Sequence, residues 1–134
     1  MSNVTLTLSV LPERYAVCQL ERGTGIPAWA LNGPFFSVTQ TPDELSIVCP
    51  ETSVPDDARA PCERGWRALK LEGPFAFNLT GILLSVLEPL AEAGIGIFAI
   101  STYDTDYVLV KAEQLEPAMA ALSERGHRIQ KQHS

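Results

Sequence analysis

The second half of the chain carries a run of alternating apolar and polar positions between residues 94 and 110. Apolar, aromatic and β-branched residues fill positions 97–100 and 107–110, and a polar segment at 101–106 separates them. Period-two alternation interrupted by turn-forming residues is typical of a β-hairpin. The polar segment holds two carboxylates, two threonines, a serine and a tyrosine. The pattern therefore predicts two strands joined by an unusually polar turn.

Two helical patterns flank this hairpin. Apolar residues recur at the helical spacing within 82–90, and a second apolar stripe follows the hairpin. Thr80 is expected to cap the first helix and Gly94 to end it, while Pro89 is expected to kink the helix or shorten its last turns. The second stripe consists of Leu115, Ala118, Met119 and Leu122.

The order of these elements predicts the fold class. A strand at 66–72 precedes the first helix, and an edge strand at 127–129 follows the second, which gives the ferredoxin-like βαββαβ order. The first half shows a looser version of the same order with a weak second helix. Its predicted elements are a strand at 5–10 that Pro12 breaks, a second strand or a continuation at 15–20, a short helical turn at 26–31, strands at 35–39 and 44–49, and a proline-rich connector at 50–64. We therefore expect an α+β protein.

Composition restricts the function classes. The 134 residues carry a formal net charge of -6 that is spread along the chain, whereas binding to a nucleic-acid backbone needs a basic surface. No run approaches the roughly 18 apolar residues that a membrane span requires. We therefore expect neither nucleic acid nor a membrane as a partner.

The three cysteines, Cys18, Cys49 and Cys62, are odd in number and widely spaced. They match neither a disulfide framework nor a zinc-binding pattern. We therefore expect no metal site, and reduced, partly buried thiols in a cytoplasmic protein.

Catalytic motifs are absent from the sequence. It contains no P-loop, no Gly-x-Ser-x-Gly elbow and no His-Glu-x-x-His pair, which are the motifs of the common phosphate-binding, acyl-transfer and zinc-hydrolase sites. Asp104 and Asp106 form a carboxylate pair, but no acid, metal or nucleophile partner accompanies them. His127 stands alone at a strand start, where a histidine is mostly structural or solvated. We expect a protein that is not an enzyme and uses no cofactor.

A small-molecule site fits these residues better. The first turn of a helix has unpaired N–H groups that attract anions, so the loop 78–81 before the first helix is a candidate for binding a carboxylate. Gly81 lets a ligand approach the backbone closely. On the neighbouring strand, the carboxylates of Asp104 and Asp106 are able to accept hydrogen bonds from an ammonium or guanidinium group. One anion-binding end and one cation-binding end match a free amino acid.

The stretches 73–84 and 97–110 resemble the ligand-binding region of the ACT domain, a small regulatory module of aspartate kinases and other amino-acid-controlled enzymes. The run Ile-Ser-Thr-Tyr-Asp-Thr-Asp-Tyr-Val-Leu-Val at 100–110 is the more specific part. In particular, the chain resembles the stand-alone tandem ACT proteins, whose relatives include an arginine sensor. The resemblance implies two ACT-like modules side by side, an incomplete one at 1–64 that includes the connector, and a second at 65–134.

The resemblance also implies a set of site residues. ACT regulators hold an amino acid at a domain interface, between the loop before the first helix and the adjacent strand. Transferred by position, the set comprises Asn78, Leu79, Thr80, Gly81 and Ile82 on the loop, and Ile100, Ser101, Thr102, Asp104 and Asp106 on the strand. Leu79 stands where the arginine sensor has a carboxylate, so a smaller or less basic amino acid is expected. The implied protein is a non-catalytic regulator that binds a free amino acid and forms a homodimer.

The polar residues of the loop and the turn also fit roles that need no ligand. Asn78 and Thr80 are equally well placed to act as helix caps, and Asp104 and Thr105 to act as turn-forming residues. A protein of ACT fold is also able to act purely as a module that pairs with another protein, with the polar turn at the rim of the contact. An enzyme that uses the Asp104 and Asp106 pair is the third alternative.

Overall fold

The computed structural model describes residues 4–73, 75 and 81–131. The chain divides into two compact units. The small unit comprises Glu13–Trp66, and the large unit comprises Met1–Pro12 together with Arg67–Ser134. The first twelve residues thus belong with the second half of the chain. The predicted modules at 1–64 and 65–134 stay a prediction.

Strands and helices occupy most of the described chain. The strands are β1 (Thr7–Leu20), β2 (Ser37–Gln40), β3 (Leu45–Pro50), β4 (Cys62–Leu71), β5 (Phe98–Ser101), β6 (Asp106–Lys111) and β7 (Arg128–Lys131). The α-helices are α1 (Ile82–Glu92) and α2 (Leu115–Glu124). Short 3-10 helices lie at Ala28–Leu31, Glu51–Ser53 and Ala112–Gln114.

The large unit has the predicted ferredoxin-like order β4, α1, β5, β6, α2, β7. In its sheet the strands follow the order β5, β6, β4, β1, and β7 pairs with β1. The first part of β1 runs parallel to β7 in a register that joins Thr7 to Arg128 and Val10 to Lys131. The predicted βαββαβ unit is confirmed, and β1 adds a strand between its first and last strands.

Both predicted apolar helix faces pack into one core of the large unit. Strand residues reach this core from alternate positions, such as Leu69 and Leu71 of β4 and Val108 and Val110 of β6, as expected for strands with one face buried. The core consists of Leu8, Val10, Leu69, Leu71, Val86, Leu90, Ile95, Val108, Val110, Leu115, Ala118 and Leu122.

The small unit has the same strand order with much shorter helices. It contains the last part of β1, then β2, β3 and the first part of β4, arranged in the order β2, β3, β1, β4. Single 3-10 helices at Ala28–Leu31 and Glu51–Ser53 stand where the large unit has α1 and α2. The first connection is rich in glycine and proline, and the second is rich in proline; both residue types disfavour longer helices. The core consists of Ala16, Cys18, Ala30, Leu45, Ile47, Cys49 and Val54.

Pro12 does not break the first strand, because β1 continues through it from Thr7 to Leu20. Pro12 lies after Val10, the last residue of β1 paired with β7, and before Tyr15, the first residue paired with β3. The missing N–H of proline therefore interrupts neither register. The predicted break is wrong, and the predicted continuation is confirmed.

Two of the three cysteines are not reduced thiols. Cys18 in β1 and Cys62 in β4 form a disulfide, with their Cα atoms 4.1 Å apart. Neighbouring strands bring opposed side chains this close, although 44 residues separate the two in sequence. Cys49 is a buried free thiol, and burial raises its pKa while the charge of Arg64 acts in the opposite direction. The prediction of three reduced thiols is wrong for Cys18 and Cys62.

Helix α1 passes through Pro89 and ends at Glu92. Proline lacks an N–H, so the carbonyl of Ser85, four residues earlier, loses its helical hydrogen bond. The buried His127 ring replaces that bond, since its Nε2 lies 2.9 Å from the Ser85 oxygen. Its Nδ1 accepts a hydrogen bond from the backbone N–H of Leu6 at 3.0 Å. These contacts place the proton of a neutral ring on Nε2 and give His127 a structural role, as expected.

Replacing His127 by leucine is expected to destabilise the large unit, because it leaves the part-buried N–H of Leu6 and the buried carbonyl of Ser85 without partners. The free energy of unfolding should fall by about 3 kcal/mol. Pro89→Ala supplies an N–H for the Ser85 carbonyl, so His127→Leu should cost about 1 kcal/mol less in that background. Urea unfolding of the wild type, both single variants and the double variant measures the difference. Equal losses in both backgrounds would show that His127 does not replace the helical bond.

Removing the disulfide with the paired substitution Cys18→Ala and Cys62→Ala is expected to destabilise the small unit. The loop it closes spans 44 residues, for which loss of the constraint on the unfolded chain costs about 4 kcal/mol. Urea unfolding of the wild type with and without a dithiol reductant, and of the variant, measures this cost. The reductant should lower the wild-type midpoint and leave the variant unchanged. A wild-type urea midpoint that does not change with the reductant would contradict the assignment of the Cys18–Cys62 disulfide.

Candidate functional site

The predicted hairpin is present. Strands β5 and β6 pair antiparallel in a register that joins Phe98 to Leu109 and Ser101 to Asp106. The last pair closes the hairpin, because the Ser101 hydroxyl donates a hydrogen bond to Oδ1 of Asp106. Ile100 is half-buried in β5. The register therefore places Ser101 and Asp106 at the base of the polar turn, with Thr102 to Thr105 beyond them.

Thr102 closes the turn through its backbone and its side chain. Its N–H donates to the Thr105 carbonyl at 2.8 Å. Its hydroxyl lies 3.1 Å from the same carbonyl and 3.3 Å from the Thr105 nitrogen, from which it accepts. A hydroxyl provides one donor and two acceptor sites, so Thr102 keeps one acceptor site beyond these contacts. Turn formation, which needs no ligand, therefore accounts for part of the role of Thr102.

The turn lies against the residues that follow β4. The buried Thr105 donates its hydroxyl proton to the carbonyl of Leu71, the last residue of β4. Phe75 donates its N–H to the Asp104 carbonyl at 2.9 Å. A Cβ at Gly73 would lie 3.1 Å from the Asp104 carbonyl oxygen and 3.0 Å from the Phe75 ring, so a larger residue would fit only if these neighbours moved by a few tenths of an ångström. The hairpin turn and the start of the loop toward α1 therefore form one contact region.

Helix α1 begins at Ile82, with Gly81 as its N-cap at a φ of 81°. The N-cap is thus Gly81 and not the predicted Thr80, and Gly81 has no side chain with which to cap the helix. The Gly81 carbonyl accepts the first helical bond, from Ser85 at 3.0 Å. Ile82 packs against the core of the large unit. The predicted site residues Asn78, Leu79 and Thr80 lie outside the described residues.

The turn carries two carboxylates close to each other in sequence. Asp104 is exposed and Asp106 is half-buried. Neither forms an ion pair with a residue that the structure describes. Because no cation among the described residues neutralises them, the turn is able to accept charge-assisted hydrogen bonds from an ammonium or guanidinium group.

Three residues of this region were not among the predicted site residues. Thr105 was expected only as a turn former, yet its hydroxyl fastens the turn to β4. Gly73 and Phe75 position the loop. Gly73 precedes Pro74 in the sequence, and a Gly-Pro pair at the end of a strand is a turn signal that identifies the position.

The described ranges hold no group of three or more histidine, cysteine or acidic side chains placed to bind a metal ion. Within the same ranges, every helix is too short or too polar to cross a membrane.

Comparison with known proteins identifies the class of protein. The family model of the ACT domain matches residues 62–124, and a second model, that of an N-terminal domain, matches residues 13–57. Residues 62–124 of the chain belong to the ACT domain family.

Individual relatives agree with this assignment. Protein Atu0741 from Agrobacterium tumefaciens, a crystal structure, is 43% identical with a TM-score of 0.90, covering 98% of this chain and 96% of that chain. The regulatory subunit of aspartate kinase from Thermus flavus has the same fold at 10% identity, with a TM-score of 0.64, covering 92% of this chain and 99% of that chain. The cytosolic arginine sensor for mTORC1 subunit 1 of Bos taurus is 31% identical over 98 residues, or 66% of this chain. The match spans 30% of that sensor's length.

Proposed function

We propose that this chain is a non-catalytic regulatory protein that binds a free amino acid at the polar turn between β5 and β6. The observation that carries the proposal is the pair of carboxylates at Asp104 and Asp106, which have no cationic partner among the described residues and lie beside the loop that leads to α1. Relatives named as an arginine sensor and as a regulatory subunit support an amino acid as the ligand and a role without catalysis.

The two ends of an amino acid match two parts of this region. The carboxylates of the turn accept hydrogen bonds from the ammonium group, together with the remaining acceptor site of Thr102. The first N–H groups of α1 bind the carboxylate, because the N-cap Gly81 has no side chain to occupy them. Gly81 leaves room for it, since a Cβ there would meet no atom within 4 Å. In this proposal Asn78, Leu79 and Thr80 complete the loop side.

The turn alone is too exposed to enclose a ligand. Thr102 and Asp104 are exposed, and Tyr103 between them is 80% exposed. Small-molecule sites usually bury most of the ligand surface, so a second wall is needed. We propose that a second copy of the chain supplies this wall, and that the protein is a homodimer whose ACT-domain interface holds the amino acid.

The proposal extends to the kind of ligand and the location. Leu79 provides no carboxylate for a guanidinium group, so a smaller or less basic amino acid than arginine is the proposed ligand. Similarity to a cytosolic sensor supports a cytoplasmic location. A disulfide such as Cys18–Cys62 is exceptional in that compartment, so the cysteines no longer support this part of the proposal.

Binding of an amino acid is expected to raise the unfolding temperature selectively. A ligand that binds only the folded state adds about 2.7 kcal/mol at a hundredfold excess over its dissociation constant. A thermal-shift screen against the twenty amino acids measures this. Asp106→Asn removes the charge but keeps an acceptor for the Ser101 hydroxyl, so the shift should disappear without loss of the unliganded stability. Thr102→Ala should reduce it.

Asp57→Asn is the matched control, because Asp57 is exposed and lies in the small unit. It removes the same charge without touching the turn, so the ligand shift should persist. A screen without any selective shift, or a shift that Asp106→Asn and Asp57→Asn affect equally, would overturn the proposed site.

A dimer is expected at micromolar concentration, and the amino acid found in the screen should favour it, because both copies contact the ligand. Sedimentation velocity or light scattering coupled to size exclusion measures the mass with and without the ligand. Asp106→Asn should remove the ligand's effect on assembly. A monomer under both conditions would contradict the shared site.

An interaction module without a ligand is the second candidate function. Exposed apolar side chains favour it, because Leu84 and Ile97 in the large unit are 54% and 37% exposed, and the aromatic Tyr103 is 80% exposed. Apolar groups at a surface are a mark of protein contacts when they lie together. A flat amino-acid screen combined with a stable dimer would favour this candidate.

A further inference from the structure

All three cysteines of the chain belong to the small unit. Cys18 and Cys62 form the disulfide, and Cys49 is a buried free thiol, while the sequence of the large unit contains no cysteine. The two bonded residues are 44 positions apart, so the closed loop includes most of the unit Glu13–Trp66. Thiol chemistry therefore acts on the small unit and changes no covalent bond in the large one.

The small unit has less core than the large unit to hold it together. Among the described residues, seven form its buried apolar cluster and twelve form that of the large unit, and Cys18 is one of the seven. A core of this size gives little stability on its own. Because the disulfide closes a loop of 44 residues, it shifts the folding equilibrium of the unit by about a thousandfold. The folded small unit therefore depends on the bond.

The two sulfurs of the disulfide differ in access. Cys18 is 1% exposed, whereas Cys62, at the start of β4, is half-buried. Exchange begins when a thiolate attacks one sulfur of a disulfide and expels the other, so an external thiol reaches this bond at Cys62. Cys49 does not compete, because it is fully buried and burial raises its pKa, which lowers its thiolate fraction.

The compartment decides what such a bond does. Glutathione and thioredoxins keep most cytosolic thiols reduced, and disulfides that form there are usually transient, catalytic or redox-sensing. We propose that Cys18–Cys62 is a redox switch, in which cellular thiols attack Cys62, reduce the bond and loosen the small unit while the large unit stays folded. This inference rests on the cytoplasmic location proposed above.

The reduction takes two exchange steps with a low-molecular-weight thiol, RSH. The thiolate RS⁻ attacks Sγ of Cys62, forms a mixed disulfide there and expels Cys18 as a thiolate, which takes a proton from solvent. A second RS⁻ attacks the R sulfur of the mixed disulfide, which expels Cys62 as a thiolate and leaves RSSR. Two electrons and two protons thus pass from two RSH molecules to the protein. An excess of RSSR reverses both steps.

Glutathione buffers test the switch on the full chain. With millimolar reduced glutathione in excess, alkylation and mass spectrometry should find Cys18 and Cys62 as free thiols, and excess oxidised glutathione should restore the bond. A bond that stays oxidised in excess reduced glutathione would overturn the proposal.

Two matched single variants test the point of attack. Each lacks the disulfide and keeps one of its sulfurs. Cys18→Ala should form the mixed disulfide with oxidised glutathione at least about tenfold faster than Cys62→Ala, because access limits the reaction of a buried thiol. Equal rates would show that Cys62 is not the entry point.

Hydrogen exchange tests whether opening is confined to the small unit. Reduction should accelerate amide exchange in β3 by up to about a thousandfold and leave β6 unchanged. The paired variant Cys18→Ala and Cys62→Ala should exchange like the reduced chain with or without glutathione, and Cys49→Ala should keep the response. Unchanged exchange in β3, or equal acceleration in β3 and β6, would overturn the switch. The amino-acid screen is independent, so a chain that binds an amino acid but does not respond to glutathione would refute the switch alone.

Discussion

The candidate site depends on the contact between the hairpin turn and the end of β4. Hairpin turns at a protein surface are free to vary in conformation, but here backbone groups hold the turn on both sides. The Thr105 hydroxyl donates to the Leu71 carbonyl, and the Asp104 carbonyl accepts from Phe75. Gly73 favours the approach, since a Cβ there would lie only 3.0–3.1 Å from Phe75 and the Asp104 carbonyl. The position of Asp104 thus follows from contacts of its backbone and not from its own charge.

The core beneath this contact contains a polar bond that apolar packing alone would not require. Pro89 stiffens α1 but removes the donor for the Ser85 carbonyl, and His127 supplies a donor from the far end of α2. The same ring accepts the Leu6 N–H at the start of β1. One imidazole therefore connects a helix, the residues before β7 and the N-terminal strand. Buried polar groups of this kind are costly when unpaired, so the three segments are coupled through His127.

The sequence was informative where one face of an element is buried. Alternation in β5, β6 and the helix stripes predicted the βαββαβ order of the large unit, because burial of one face imposes a period on the sequence. It was misleading at Pro12, since this proline lies between the β1 residues paired with β7 and those paired with β3, and sequence does not show registers. The Cys18–Cys62 bond was missed for a similar reason, because only the pairing of β1 with β4 brings the two residues together. Long-range pairing leaves no local periodicity.

The candidate site, like the fold, was predictable only in part from the sequence. Residue types predicted that the turn is polar and acidic. They did not show which polar groups form hydrogen bonds within the protein and which form none with the described residues. The hydroxyls of Ser101, Thr102 and Thr105 are all engaged within the large unit, and the Asp106 carboxylate accepts one of them. Asp104 differs, because its backbone carbonyl holds the loop while its side chain makes no hydrogen bond or ion pair with the described residues. Any residue at this position would provide the same carbonyl, so the fold does not require the carboxylate. Its charge has no partner among the described residues, and this separation of backbone role from side-chain role is the physical basis for the proposal that the turn binds a ligand.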